Sequence, residues 1–328
     1  MCDDITEAEN ETLVDHPLGR RAVVRLGLGV AAAVALPGCS SDGAVNPASS
    51  PEGGATSASA TGPAAGPGVR SSASAATTAP AARNTASRYV SITTPDGKAD
   101  AFFVTPSEGK HAAVIMWPDI AGLRQAYETM STRLAEQGYA VLVVNQYYRS
   151  AVAPVLNSLA EWRTEEGKAK LKPMIEALSA DVTMRDASAF VAWLDTQTEV
   201  DTKRKIGSAG YCMGGPFTVR TAAAAPTRVS AAASFHGGSL ATDKSDSPHL
   251  LIAKTQASYL FAIAKNDDDR DAEAKNKLRA SADAAKRAVE IEVYPAQHGW
   301  CTIDSPVYDK EQGDRAWARM LELFRIAL

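Results

Sequence analysis

Between Lys205 and Gly215 the chain reads Lys-Ile-Gly-Ser-Ala-Gly-Tyr-Cys-Met-Gly-Gly, and few backbone paths accommodate that run. Ile206 to Gly210 has the make-up of a short buried strand and Met213 to Ala224 that of a helix, with Cys212 between them. A strand that turns into a helix this abruptly brings its flanking backbones together, so side chains two residues before and after the turn would collide. Gly210 and Gly214 occupy those two places. The resulting Gly-x-Cys-x-Gly is the nucleophile-elbow pattern, with Cys where Ser is usual. Such a turn displays Cys212 at the carboxyl edge of a sheet. The helix behind it points free N–H groups at the reaction centre, which favours a thiolate or an oxyanion.

Strand and helix patterns alternate on both sides of this turn. Tyr89–Thr93 and Asp100–Thr105 flank Pro95-Asp96-Gly97-Lys98, a turn between antiparallel strands. The apolar runs Ala112–Trp117 and Tyr139–Asn145 read as strands buried on both faces, separated by a helix from Gln125 to Gln137. Residues 150–172 read as an irregular, charged insertion over the carboxyl edge, followed by one helix from Met174 to Leu194. Beyond the elbow come strands Val229–Phe235, Tyr259–Ala264 and Val289–Tyr294, then a closing helix from Glu311 to Ala327. The expected fold is α/β: a mostly parallel sheet with helices on both faces and the site in loops at its carboxyl edge.

The chain has 328 residues and a net charge of −4, with no Lys/Arg block interleaved with aromatics, which argues against nucleic-acid binding. Its four cysteines, Cys2, Cys39, Cys212 and Cys301, form no C-x-x-C pair and no Cys/His ligand spacing, so neither a zinc site nor a disulfide framework is expected.

Arg20-Arg21, the apolar run Leu26–Leu36 and Pro37-Gly38-Cys39 resemble a twin-arginine export signal ending in a lipoprotein box. The resemblance implies export and acylation of Cys39, which would tether the chain to a membrane. Ser40 to about Ser87 is Ala, Ser, Thr, Gly and Pro with few larger aliphatics, a composition expected to stay disordered. A tether of that length would reach roughly 40 Å. The expected organisation is a signal at 1–39, a linker at 40–87 and a catalytic domain at 88–328.

A thiol nucleophile needs a base, and the base needs a group to orient it. After Cys212 the chain supplies an Asp run, Asp267 to Asp269, beyond the next-but-one strand, and His298 beyond the strand after that. Nucleophile, acid, His is the chain order of α/β-hydrolases. Asp267 suits by its distance from the strand, with Asp268 the alternative.

Four segments together resemble the dienelactone hydrolase family across nearly all of residues 89–328. They are Gly210–Gly215, the Ala296-Gln297-His298-Gly299 loop, Asn145-Gln146-Tyr147-Tyr148-Arg149 and Trp117-Pro118-Asp119-Ile120-Ala121-Gly122. The resemblance implies Cys212 as nucleophile, His298 as base and later acid, and Asp267 as its orienting partner. It also implies an oxyanion hole from the N–H groups of Met213 and Ile120, and a small-molecule ester or lactone as substrate. No metal, organic cofactor or protein partner is called for. Asp119, Arg149, Tyr211, His236 and Trp300 are the expected pocket residues, with Arg149 either positioning a substrate anion or making a structural ion pair.

Two positions depart from the family. Asp119 stands where the family has a Glu that pairs with the resting Cys, and Thr302 stands near the place of an Arg that holds the substrate carboxylate. Dienelactone itself is therefore not the expected substrate. Two other readings compete: thiol redox chemistry between Cys212 and Cys301, and a tethered binding protein with a degenerate hydrolase site.

Overall fold

The computed structural model describes residues 82–328. The expected export signal, Cys39 and almost all of the expected linker lie outside them. β1 (Thr85–Thr94) and β2 (Gly97–Pro106) form the expected hairpin, though β1 starts earlier than its sequence pattern suggests. β3 (Ala113–Trp117), β4 (Ala140–Val144) and β5 (Ile206–Tyr211) are buried along their whole length. β6 (Val229–Phe235), β7 (Ser258–Ala264) and β8 (Val289–Tyr294) complete one sheet in the order β1-β2-β4-β3-β5-β6-β7-β8. β1–β2 and β2–β4 are antiparallel, and every other pairing is parallel.

Parallel pairing sends the carboxyl ends of six strands to one edge. The register keeps those ends level: Trp117 lies opposite Gly210, Tyr211 opposite Phe235, and Ala264 opposite Tyr294. The loops that follow are therefore neighbours in space although far apart in sequence.

Nine helices flank the described strands. α1 is Gln125–Glu136, α2 Leu159–Trp162, α3 Glu165–Glu176, α4 Ala180–Leu194 and α5 Gly215–Ala224. α6 is Pro248–Leu251, α7 Lys265–Arg270, α8 Ala272–Ala284 and α9 Lys310–Ala327. Period-2 alternation in the strands divides the core. Phe103, Ile115 and Trp117 pack with Phe190 of α4 and Phe217 of α5 on one face, and Val104, Val114 and Met116 pack with Tyr127 of α1 and Phe324 of α9 on the other.

The region 150–172 is not irregular, contrary to expectation: it carries α2 and the start of α3. Side-chain caps explain why. Ser158 accepts from Glu161 N–H and Thr164 from Gly167 N–H, so two short helices start inside a stretch with little apolar periodicity. The single helix expected from Met174 to Leu194 is two. α3 stops at Glu176, and Ser179 caps a fresh start by accepting from Val182 N–H.

Candidate active site

The elbow forms as its glycines require. A Cβ on Gly210 would lie 2.1 Å from the Gly214 carbonyl oxygen, and one on Gly214 would lie 2.4 Å from that of Trp117. The second contact seats the elbow against the end of β3, where the Asp119–Gly122 loop begins. Cys212 has φ 52°, in the left-handed region that side chains other than glycine seldom occupy, and it opens a single 3-10 turn running to Gly214. Cys212 is disulfide-bonded in the structure, and hydrolytic chemistry belongs to its reduced thiol.

His298 is 3% exposed, and its Nδ1 lies 2.7 Å from Asp267 Oδ2. With Asp267 ionised, the shared proton resides on Nδ1 and Nε2 is the basic nitrogen. The backbone N–H of His298 donates to Asn266 Oδ1 at 2.9 Å, so adjacent residues grip the histidine by side chain and main chain. The Asp run is not an open loop as expected but the helix α7, and its turn separates the three carboxylates. Asp268 is bound by Lys275 at 2.5 Å and Asp269 by Lys265 at 2.5 Å, which leaves Asp267 as the one directed at His298.

His236 joins the two halves of the site. It follows β6 with φ 40°, is 1% exposed, and its Nδ1 accepts the Cys212 backbone N–H at 3.1 Å. On its other side its ring meets that of His298 edge to face, centroids 5.0 Å apart. Accepting at Nδ1 places the His236 proton on Nε2, and burial, with a smaller contribution from the charge on His298, keeps the ring neutral by lowering its pKa well below the ordinary range. Trp300, fully buried, stacks on Tyr294 and packs edgewise on His236 at 5.2 Å. It is a wall behind His236 rather than a pocket surface.

Ile120 and Met213 lie together around Tyr147. The Tyr147 hydroxyl donates to the Ile120 carbonyl at 2.7 Å and touches Met213 Sδ at 3.8 Å. The Ile120 N–H finds no backbone acceptor among the described residues, and the Met213 N–H belongs to the first turn of its helix, where no intrahelical acceptor exists. Gln146 Nε2 props the same loop by donating to the Asp119 carbonyl at 2.7 Å.

Three expected pocket residues lie elsewhere in function. Both Asp119 carboxylate oxygens are held by Arg124, at 2.8 and 3.0 Å, and Oδ1 also accepts the Ala121 N–H, so this carboxylate shapes its loop and is not the thiol's proton partner. Arg149 is clamped between Asp96 at 2.6 Å and Asp186 at 2.7 Å, a structural ion pair. Tyr211 points to the opposite face of the sheet, stacked on Phe235 at 4.9 Å, because alternation along β5 turns it away from the Cys212 side. Cys301 lies on that opposite face too, as a free buried thiol whose pKa burial pushes well up, so it is not joined to Cys212. Asn266, Tyr147, Arg124 and Asp304 are site residues that sequence reasoning missed. The Asn145–Arg149 segment was singled out, but nothing in it ranked Tyr147 above its neighbours.

An eight-stranded, mostly parallel sheet with a cysteine elbow after β5 and an Asp-supported His after β8, at the same carboxyl edge, defines an α/β-type hydrolase of the ester- and lactone-cleaving class. The sequence matches the model of the Dienelactone hydrolase family over residues 99–328, and the chain belongs to that family. It is 26% identical over 241 residues to a Methylorubrum extorquens protein named "Putative carboxymethylenebutenolidase", covering 72% of this chain and 79% of that one. Among solved structures it superposes on the dienelactone hydrolase-like promiscuous phosphotriesterase P91 from metagenomic libraries (TM-score 0.60, 21% identity, 74% of this chain and 98% of that chain). It also superposes on the dienelactone hydrolase from Anabaena variabilis (TM-score 0.53, 16% identity, 74% of this chain and 99% of that chain). At those identities the likeness is one of fold.

Proposed function

We propose that the protein cleaves a carboxylic ester or lactone through Cys212, His298 and Asp267, by way of a thioester. His298 Nε2 takes the proton of the Cys212 thiol, and the thiolate adds to the substrate carbonyl carbon. The N–H groups of Met213 and Ile120 hold the resulting oxyanion. Collapse expels the alkoxide, which takes the proton back from His298 and leaves the acyl group on Cys212. Water, deprotonated by His298, then cleaves the thioester and restores the thiol. Asp267 stays ionised throughout and steadies the imidazolium. The observation that carries this reading is the 2.7 Å Asp267–His298 bond at the same carboxyl sheet edge as a left-handed cysteine.

The favoured substrates lack the carboxylate of dienelactone. Thr302 is buried near the place where the family's arginine would stand, and Arg124 and Arg149 are both taken by carboxylates. The test is turnover of a panel of p-nitrophenyl esters and simple lactones by the reduced full-length protein and by Cys212→Ala. Failure on the whole panel, or an undiminished rate in Cys212→Ala, would sink the reading. We also propose, on the sequence alone, that the protein is exported and acylated at Cys39, which would tether the enzyme to a membrane surface.

A further inference from the structure

Arg124 is among the most deeply buried charged side chains in the described residues, 1% exposed, and it binds two carboxylates at once. Nη1 and Nη2 donate to Asp119 at 2.8 and 3.0 Å, while Nε and Nη2 donate to Asp304 at 2.7 Å each. Nη1 also donates to the Gly122 carbonyl at 3.0 Å, and the guanidinium lies 5.0 Å from the centre of the Tyr127 ring. The chain positions of the two carboxylates are informative. Asp119 immediately precedes Ile120, a proposed oxyanion donor. Asp304 belongs to the loop that follows His298. One guanidinium therefore spans the two loops whose relative placement decides whether an oxyanion and an imidazole can serve the same carbonyl.

We propose that Arg124 is a positioning residue: by gripping Asp119 and Asp304 together it fixes the Ile120 N–H relative to the His298 loop. Among the described residues no other side chain makes paired hydrogen bonds to both loops. Tyr127 accepts the Asp119 N–H at 2.9 Å from the α1 side, and Asp304 Oδ2 also accepts the Leu159 N–H at 3.3 Å, so the strap reaches on to α2. A planar, five-donor fork suits this task where a lysine ammonium would not, because only the fork makes two bidentate pairs with a fixed mutual angle. Burial makes the arrangement stiff: removing either Arg124 or Asp119 would leave the other charge buried and uncompensated.

The inference rests on the proposed hydrolytic mechanism for its kinetic consequence but not for its structural one, and two measurements separate them. Asp304 is the better handle, since its side chain is 26% exposed and its loss leaves the buried Arg124–Asp119 pair intact. In reduced full-length Asp304→Asn, amide hydrogen exchange across residues 118–124 should accelerate clearly over wild type while exchange in β3 and β5 does not. Unchanged exchange in that loop overturns the strap whether or not any ester is turned over. In the kinetic arm, kcat per active site, counted by thiol titration, should fall roughly ten- to a hundredfold with KM little changed, the mark of a misplaced oxyanion donor. Arg124→Lys, which keeps the charge and loses the fork, should show the same kcat-selective loss. Faster exchange with kcat per site at the wild-type value, or a loss confined to KM, overturns the positioning role. A wild-type protein inactive on every ester, with the exchange difference present, condemns the hydrolase reading and leaves the strap standing.

Discussion

At Cys212 the backbone is held left-handed by a hydrogen bond from its own N–H to a neutral imidazole, so His236 supports the elbow without sharing in the proton transfer. That neutrality has a measurable consequence. The folded-state pKa of His236 is depressed, so near and below pH 6.5 the unfolded chain takes up a proton that the folded one refuses. Its contribution is whole above about pH 6.5 and is lost as pH falls, by up to about 1.4 kcal/mol per pH unit. His236→Asn, which removes the titration, should flatten the fall in denaturation midpoint between pH 7.5 and 5.5; a slope equal to that of wild type would assign the effect elsewhere. The three aspartates of α7 invite a second comparison. Asp267→Asn should lower kcat by roughly a thousandfold or more through the wrong His298 tautomer. Asp268→Asn, which loses a partly buried ion pair with Lys275 and not the bond to His298, should stay within about twofold of wild type. Equal losses in both variants would dismiss Asp267 as the orienting acid. Cys301, buried with a raised pKa, should resist alkylation in the folded reduced protein while Cys212 reacts, as peptide mapping after brief iodoacetamide treatment would show.

Among the elements, β5 and the turn after it were legible because the chemistry of close approach leaves only glycine at two positions. Gly214→Ala should cost at least about 1–3 kcal/mol in a denaturant melt, since its new methyl meets the backbone carbonyls of Trp117 and Pro118 and neither can retreat without breaking β3 pairing. A variant as stable as wild type would mean that the turn has room the geometry denies. The helices of 159–176 were less legible. They depend on single capping side chains, Ser158 and Thr164, and one of them is a single turn, so hydrophobic periodicity carries almost no signal there. The split between α3 and α4 has the same origin. Ser179 sits inside what reads as one apolar stripe, and only its hydrogen bond to Val182 N–H shows that a new helix begins.

For the whole molecule, the proposed export and lipidation would set where the enzyme works, and both are open to a direct check. Palmitate labelling and membrane fractionation should follow the wild-type chain and be lost in Cys39→Ala; label retained in that variant would remove Cys39 as the anchor. The sequence by itself determined the alternation of strand and helix, the identity of the elbow, and the histidine and Asp run that belong with it. Those features are local, because they follow from backbone crowding, periodicity and chain order. Which aspartate faces His298, which carboxylates occupy Arg124 and Arg149, and which side of the sheet Tyr211 and Cys301 take were decided only by the tertiary structure. Each depends on the phase of a helical turn or the pleat of a strand relative to partners 30 to 180 residues away, and no local pattern in a single chain records that phase.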